Sequence, residues 1–179
     1  MSRLEENGNI SLLKAEVSTL NEFKSALQAS FLVAVEADVG HPLEELIPSD
    51  EDIEESFNTT GAFTYWILAD GQRIGGAVVV IDLVSGRNSL AFFFIATNQQ
   101  SRGFGLKAWK AIEREFPITK VWETVTPYFE KRNIHFYVNR CGFKIVDFYN
   151  KYHPDPHQYS GQNHEEGYDE MFRFEKIME

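Results

Sequence analysis

The chain has 179 residues, 43% hydrophobic and 25% charged, with a formal net charge of −10 and a single cysteine. That length buries one good core of the size of an ordinary domain, and the composition excludes both a disordered and a collagen-like chain. The acidic balance excludes nucleic acid as the main partner, a lone cysteine excludes an intrachain disulfide, and no apolar run approaches the roughly 20 residues of a membrane span.

The amino terminus carries acids where a secretory signal needs basic and then apolar residues, so the chain reads as cytoplasmic, with residues 1–9 as a disordered tail and 10–179 as one domain. Ile10 to Val17 reads as a strand. Thr19-Leu-Asn-Glu22 has the form of a capping box, opening a helix to about Ala37 with Leu20, Phe23, Leu27 and Phe31 on one face. Ser49 caps a second, acidic helix through Ile53 and Phe57, its acids in the first turn where the helix dipole favours them.

Three strand-like runs follow: Phe63–Leu68, Ile74–Leu83 and Leu90–Ile95. Asp70-Gly71 between the first two is a hairpin signal, because a type I′ turn needs positive φ at both positions. A polar loop then leads to a helix over Gly105–Glu115, which Pro117 ends. Lys120–Val125 is a strand, Phe129–Arg140 a helix with Gly142 as its C-terminal stop, and Phe143–Phe148 and Met171–Lys176 a last strand pair joined by a long polar loop. The whole reads as a mixed α/β (α+β) domain, a largely antiparallel central sheet with helices on both faces.

Charge is unevenly placed. Asn98 to Ile112 carries Arg102, Lys107 and Lys110 and no acid, a basic island that marks a local anionic ligand. Within it lies Gln100-Ser101-Arg102-Gly103-Phe104-Gly105. Its glycines let backbone N–H groups approach a ligand, and the dipole of the next helix points the same way. Gly103-Phe-Gly-Leu-Lys-Ala108 also fits the dinucleotide fingerprint, with Glu123 about 20 residues on. However, that fingerprint starts directly after its strand, whereas polar residues separate Ala96 from Gly103 here, and the preceding strands form an antiparallel meander.

The loop resembles the Q/R-x-x-G-x-G/A signature of the GNAT superfamily of acetyl-CoA-dependent N-acetyltransferases, matched by Gln100, Gly103 and Gly105. Phe136-Tyr137 followed by Gly142-Phe143 is similar to a second feature of that family, an aromatic helix ending in Gly-Phe. Two positions depart from the pattern: four residues, Val138–Cys141, separate Tyr137 from Gly142 where the family has three, and the family's frequent Asn ahead of the Tyr falls near Glu130. The element order is similar to the family's from Ile10 to Lys176.

The resemblance implies acetyl-CoA as cosubstrate, its pyrophosphate on Gln100, Ser101, Arg102, Gly103, Phe104 and Gly105 with Lys107 adding charge. It implies the pantetheine arm along Phe94, Ile95 and Ala96, where the strand splays from its neighbour. It further implies direct attack by an amine, with Tyr137 protonating the leaving thiolate and Glu123 as a base. It places the acceptor pocket between the first two helices and the last-strand loop; both regions are acidic in this sequence, which points to a cationic amine drawn by Glu44, Glu45, Glu165 and Glu166. The alternative is a non-catalytic acyl-CoA-binding regulatory module on the same fold; a homodimer is left open. His153, His157 and His164 fit no zinc spacing, so no metal site is assigned, and Cys141 reads as a small buried hydrophobe.

Overall fold

The computed structural model describes residues 8–44, 46–157 and 170–179. Among these residues, seven strands form one sheet in the order β1-β2-β3-β4-β5-β7-β6. They are β1 (Ile10–Lys14), β2 (Ala62–Ala69), β3 (Gln72–Val80), β4 (Arg87–Ile95), β5 (Val121–Pro127), β6 (Lys144–Tyr149) and β7 (Met171–Ile177). Every neighbouring pair is antiparallel except β4 and β5. Asp70 and Gly71 both take positive φ, 49° and 82°, as the expected turn requires. Asn9, placed in the tail by its sequence, is tied to that hairpin: its N–H donates to Asp70 Oδ1 at 2.9 Å, and its carbonyl accepts from the Asp70 N–H at 3.0 Å.

Helices cover both faces because alternate strand residues point to opposite sides and each apolar set needs a lid. On one face lie α1 (Leu20–Val39) and α2 (Asp50–Asn58); Phe23, Leu27 and Ile53 pack there on Trp66, Val78 and Phe94. On the other, α3 (Phe104–Glu115) buries Ala108, Trp109 and Ile112 against Ile74, Leu90 and Trp122. Ser49 caps α2 as expected, its hydroxyl accepting from the Asp52 N–H at 3.1 Å. The box expected at α1 is not made. Thr19 Oγ1 instead donates to the Glu16 carbonyl and accepts from Trp66 Nε1, while Glu22 reaches Arg73. Distant partners outcompeted the local ones.

The last helix departs from the single α-helix that the sequence predicts. Lys131–His135 forms a short α-helix, α4, and Phe136–Cys141 continues it as a π-helical turn. The Gly142 N–H bonds the Tyr137 carbonyl, five residues back, and Gly142 closes the turn with φ 84°. Each π turn holds one residue more than an α turn. The fourth residue between Tyr137 and Gly142 is accommodated there, which keeps Tyr137 facing the core and Gly142 at the end of the helix. No helix among the described residues is long and apolar enough to cross a membrane.

Candidate active site

The site is a fork in the sheet. β4 and β5 pair only over Arg87–Ser89 and Val121–Glu123 and then diverge. The pairing of Val78 with Phe92 and of Val79 with Leu90 leaves Ala91 as an extra residue on β4; such a bulge bends its strand and raises its twist. Thr124 Oγ1 donates to the Leu90 carbonyl at 2.9 Å, pinning the vertex of the fork. The splay expected from the resemblance is present, and it opens a cleft of about 650 Å³.

One wall is the end of β4, Phe93, Phe94 and Ile95, with the Gln99–Leu106 segment at its mouth; the facing walls come from α1 and from the Glu130–Arg140 segment. At the mouth, Gly103 takes φ 76° and opens α3 with no side-chain cap and no acid in the first turn. The first helical bond there is from the Lys107 N–H to the Gly103 carbonyl, so the N–H groups of the first turn are left for a ligand. A Cβ at Gly103 would meet nothing within 4 Å, whereas one at Gly105 would lie 3.2 Å from the Phe136 ring. Uncapped donors, a helix dipole and open space in front of them suit a pyrophosphate.

Gln100 has a bracing role. Its Nε2 donates to the Ile95 carbonyl at 2.9 Å, and its Oε1 accepts from Arg132 at 2.6 Å; the same guanidinium reaches Ser101 Oγ at 3.1 Å. Arg132 is a residue that sequence reasoning missed, because nothing local marks a contact across 32 positions. Together with Arg140 it gives the cleft a cationic wall, which His135 also lines. Arg102 is exposed, touching Gln99.

Lys107 does not line this cleft. It lines a different groove, with Lys110, Arg114 and Gly8–Ile10. Its i, i+3, i+7 spacing to those basic residues puts all three on the outer face of α3, a signal already legible in the sequence.

Glu123 does not line the cleft either. It sits at the paired end of the fork, where Arg87 and Arg173 both bond its Oε1, the latter at 2.8 Å, and Glu175 completes the cluster. Glu123 Oε1 is thus held in an ion pair by two guanidiniums. Tyr137 is 5% exposed and packs on Phe136, Phe143 and Phe174, its hydroxyl against Thr124 at the vertex. Burial pushes that hydroxyl far above the ordinary tyrosine value, so it holds its proton.

Of the acids expected to draw the acceptor, Glu44 is exposed, while Glu45, Glu165 and Glu166 lie outside the described residues, as does His164. His153 pairs with Asp147 at 3.0 Å and stacks on Tyr149. Cys141 is buried, its thiol pushed up to about 12.

A family model for the "Acetyltransferase (GNAT) family" matches residues 24–143, spanning the fork, the loop and the Gly142-Phe143 pair. The chain belongs to the GNAT acetyltransferase family. Membership makes it an acetyltransferase that draws its acetyl group from acetyl-CoA. Among curated proteins it is similar to the uncharacterized protein YrkN of Bacillus subtilis (strain 168), 50% identical over 168 residues, which cover 92% of this chain and 91% of that one. Among solved structures, an IAA acetyltransferase from Bacillus cereus ATCC 14579 superposes with a TM-score of 0.67 at 17% identity, over 95% of this GNAT chain and all of that one. A Bacillus subtilis acetyltransferase in complex with CoA gives 0.65 at 17% identity, over 96% and 99%. At these identities the superpositions speak for the fold.

Proposed function

We propose that this GNAT enzyme transfers the acetyl group of acetyl-CoA to a primary amine, on a cationic small molecule or peptide, by direct attack in a ternary complex. The observation that carries this reading is the fork: a split between two strands with the uncapped end of α3 at its mouth. The N–H groups from Gln100 to Gly105 hold the pyrophosphate, with Arg132 and Arg102 supplying charge. The diverging edge of β4 from Phe94 to Ala96 takes the pantetheine arm, and a backbone N–H there polarises the thioester carbonyl.

The amine nitrogen attacks that carbonyl and the carbon–sulfur bond breaks. Tyr137, at the vertex, is the residue we assign to the leaving thiolate. Its raised pKa makes it a hydrogen-bond donor to the developing negative charge more than a source of a freely given proton, which a thiolate of ordinary pKa near 8.5 tolerates. The acidic balance of the chain, with Glu44 at the α1–α2 connection, favours a cationic acceptor.

A thiol-release assay with acetyl-CoA across an amine panel tests the proposal. Spermidine turned over faster than a neutral amino acid ester is the expected result. Preference for the neutral compound refutes the charge argument. CoA binding without turnover of any amine refutes amine acetylation.

A further inference from the structure

Glu130 is the one carboxylate among the described residues that line the cleft. It is 7% exposed, and its Oε1 is buried with no hydrogen-bond partner. It stands at the N-cap position of α4 without capping it, although an acid there ordinarily accepts from the helix N–H groups. The side chain is thus turned away from the partners nearest to it. A buried carboxylate costs several kcal/mol unless something pairs with it, and among the described residues nothing hydrogen-bonds that oxygen.

The charged and titratable groups around it narrow the choice of a counterpart. Arg132, on the same helix, acts on Glu130 but has its guanidinium bonded to Gln100 and Ser101. Asp38, at the end of α1, adds negative charge. Tyr137 lies within electrostatic reach and stays neutral, and His135 and Arg140 line the same cleft. The elements facing it from the other walls contribute Phe93–Ile95, Ala34, Ala37 and the Gly103–Leu106 turn, none of them charged. With burial as the first cause, Arg132 opposing and Asp38 adding, the carboxyl lies above the ordinary glutamate value. A neutral amide N–H would satisfy the oxygen but not its charge. An ammonium satisfies both.

We propose that Glu130 is a catalytic residue that receives the ammonium group of the acceptor and takes its first proton. This rests on the acetyl-CoA-to-amine reading above and goes beyond it by assigning the base, a role left open once Arg87 and Arg173 occupy Glu123. In the step, R–NH₃⁺ gives one proton to the Glu130 carboxylate and becomes R–NH₂. The nitrogen lone pair then forms the C–N bond as the C–S bond breaks. The proton lost from the new amide nitrogen goes to the thiolate, giving CoA–SH, and Glu130 returns its own to solvent. An alkylamine of pKa about 10.4 is neutral in only about one molecule in 2,500 at pH 7, so the gain from such a base is large.

The pH dependence of kcat/KM for spermidine, in the wild type and in Glu130→Gln, tests the assignment, with calorimetric CoA titration of both as the check on folding and donor binding. Enzyme that takes the ammonium form has a flat profile between the pKa of Glu130 and that of the amine. The glutamine variant has to wait for free amine, so its kcat/KM falls by about 10²–10⁴ at pH 7 and climbs about tenfold per pH unit, with CoA affinity unchanged. A variant with wild-type activity overturns the proposal. So does one that is slower but keeps the flat profile, which is what a structural role gives, or one whose only defect is weakened CoA binding, which assigns the carboxylate to the donor arm. Should the wild type bind CoA but acetylate no amine, the functional reading itself fails, and that result is distinct from the other three.

Discussion

Two methyl groups placed two residues apart separate the roles of the signature glycines. Gly103 holds φ at 76°, and a Cβ there meets nothing within 4 Å. The cost of Gly103→Ala is therefore the backbone strain of a left-handed alanine alone, about 1–2 kcal/mol, which for a chain of this length lowers Tm by about 2–8 °C. If the chain relieves the strain by leaving that conformation, the N–H groups of the first turn of α3 rotate away from the cleft and CoA binding weakens as well. Gly105 has no such constraint. Its new Cβ approaches Phe136 to 3.2 Å, asking a ring at the cleft wall to move by a few tenths of an ångström. Against that stands a gain of about 1 kcal/mol in helix propensity. Gly105→Ala should thus leave Tm within about 2 °C of the wild type. Thermal denaturation by circular dichroism, with calorimetric CoA titration of the same samples, measures both effects. If Gly105→Ala loses as much stability as Gly103→Ala, or if Gly103→Ala leaves both Tm and CoA affinity intact, the account of the loop as a backbone cradle is wrong.

Arg132→Ala removes the brace on Gln100 and Ser101 and a charge from the cleft wall; CoA affinity should fall about tenfold, the ordinary size of a charge-assisted contact, and equal affinity by calorimetry would show the contact to be ornamental. Glu123→Gln leaves two arginines sharing Glu175, which should lower the urea midpoint, while the slope of kcat/KM against pH stays that of the wild type; a profile like that expected for Glu130→Gln would return the base to Glu123. At high pH the Cys141 thiol, pushed up to about 12 and 2% exposed, ionises in the unfolded chain near 8.5 but not in the folded one. The unfolded state then binds fewer protons, so Cys141 favours folding fully below about pH 8.5 and loses that contribution as pH rises towards 12, by up to about 1.4 kcal/mol per unit. Urea midpoints of wild type and Cys141→Ala should diverge in that direction between pH 8 and 10.5, and parallel curves would contradict the burial argument.

Most of the architecture was legible locally. Alternation marked the strands, Asp70-Gly71 the hairpin and Ser49 the second helix start, because each depends on residues within a few positions of one another. The capping box failed for the opposite reason: Trp66 and Arg73, 47 and 51 positions from their partners, claimed Thr19 and Glu22, and no local pattern contains them. The additional residue before Gly142 was visible as a departure, but whether it would displace Tyr137 or swell the helix depended on the core. Burying Tyr137 among Phe136, Phe143 and Phe174 decided for the π turn.

The site divides along the same line. By itself the sequence determined the anion cradle, since glycines and a helix start are contiguous, and with it the acetyl donor. Only the tertiary structure decided which charges serve it. Packing brought Arg132 onto Gln100 and locked Glu123 between two guanidiniums. It also left Glu130, near which the family's frequent asparagine falls, as a buried carboxylate in the cleft wall with one oxygen unpartnered among the described residues. Charge is read from a sequence by position, but its chemical use depends on desolvation and on distant neighbours, which only the folded chain sets.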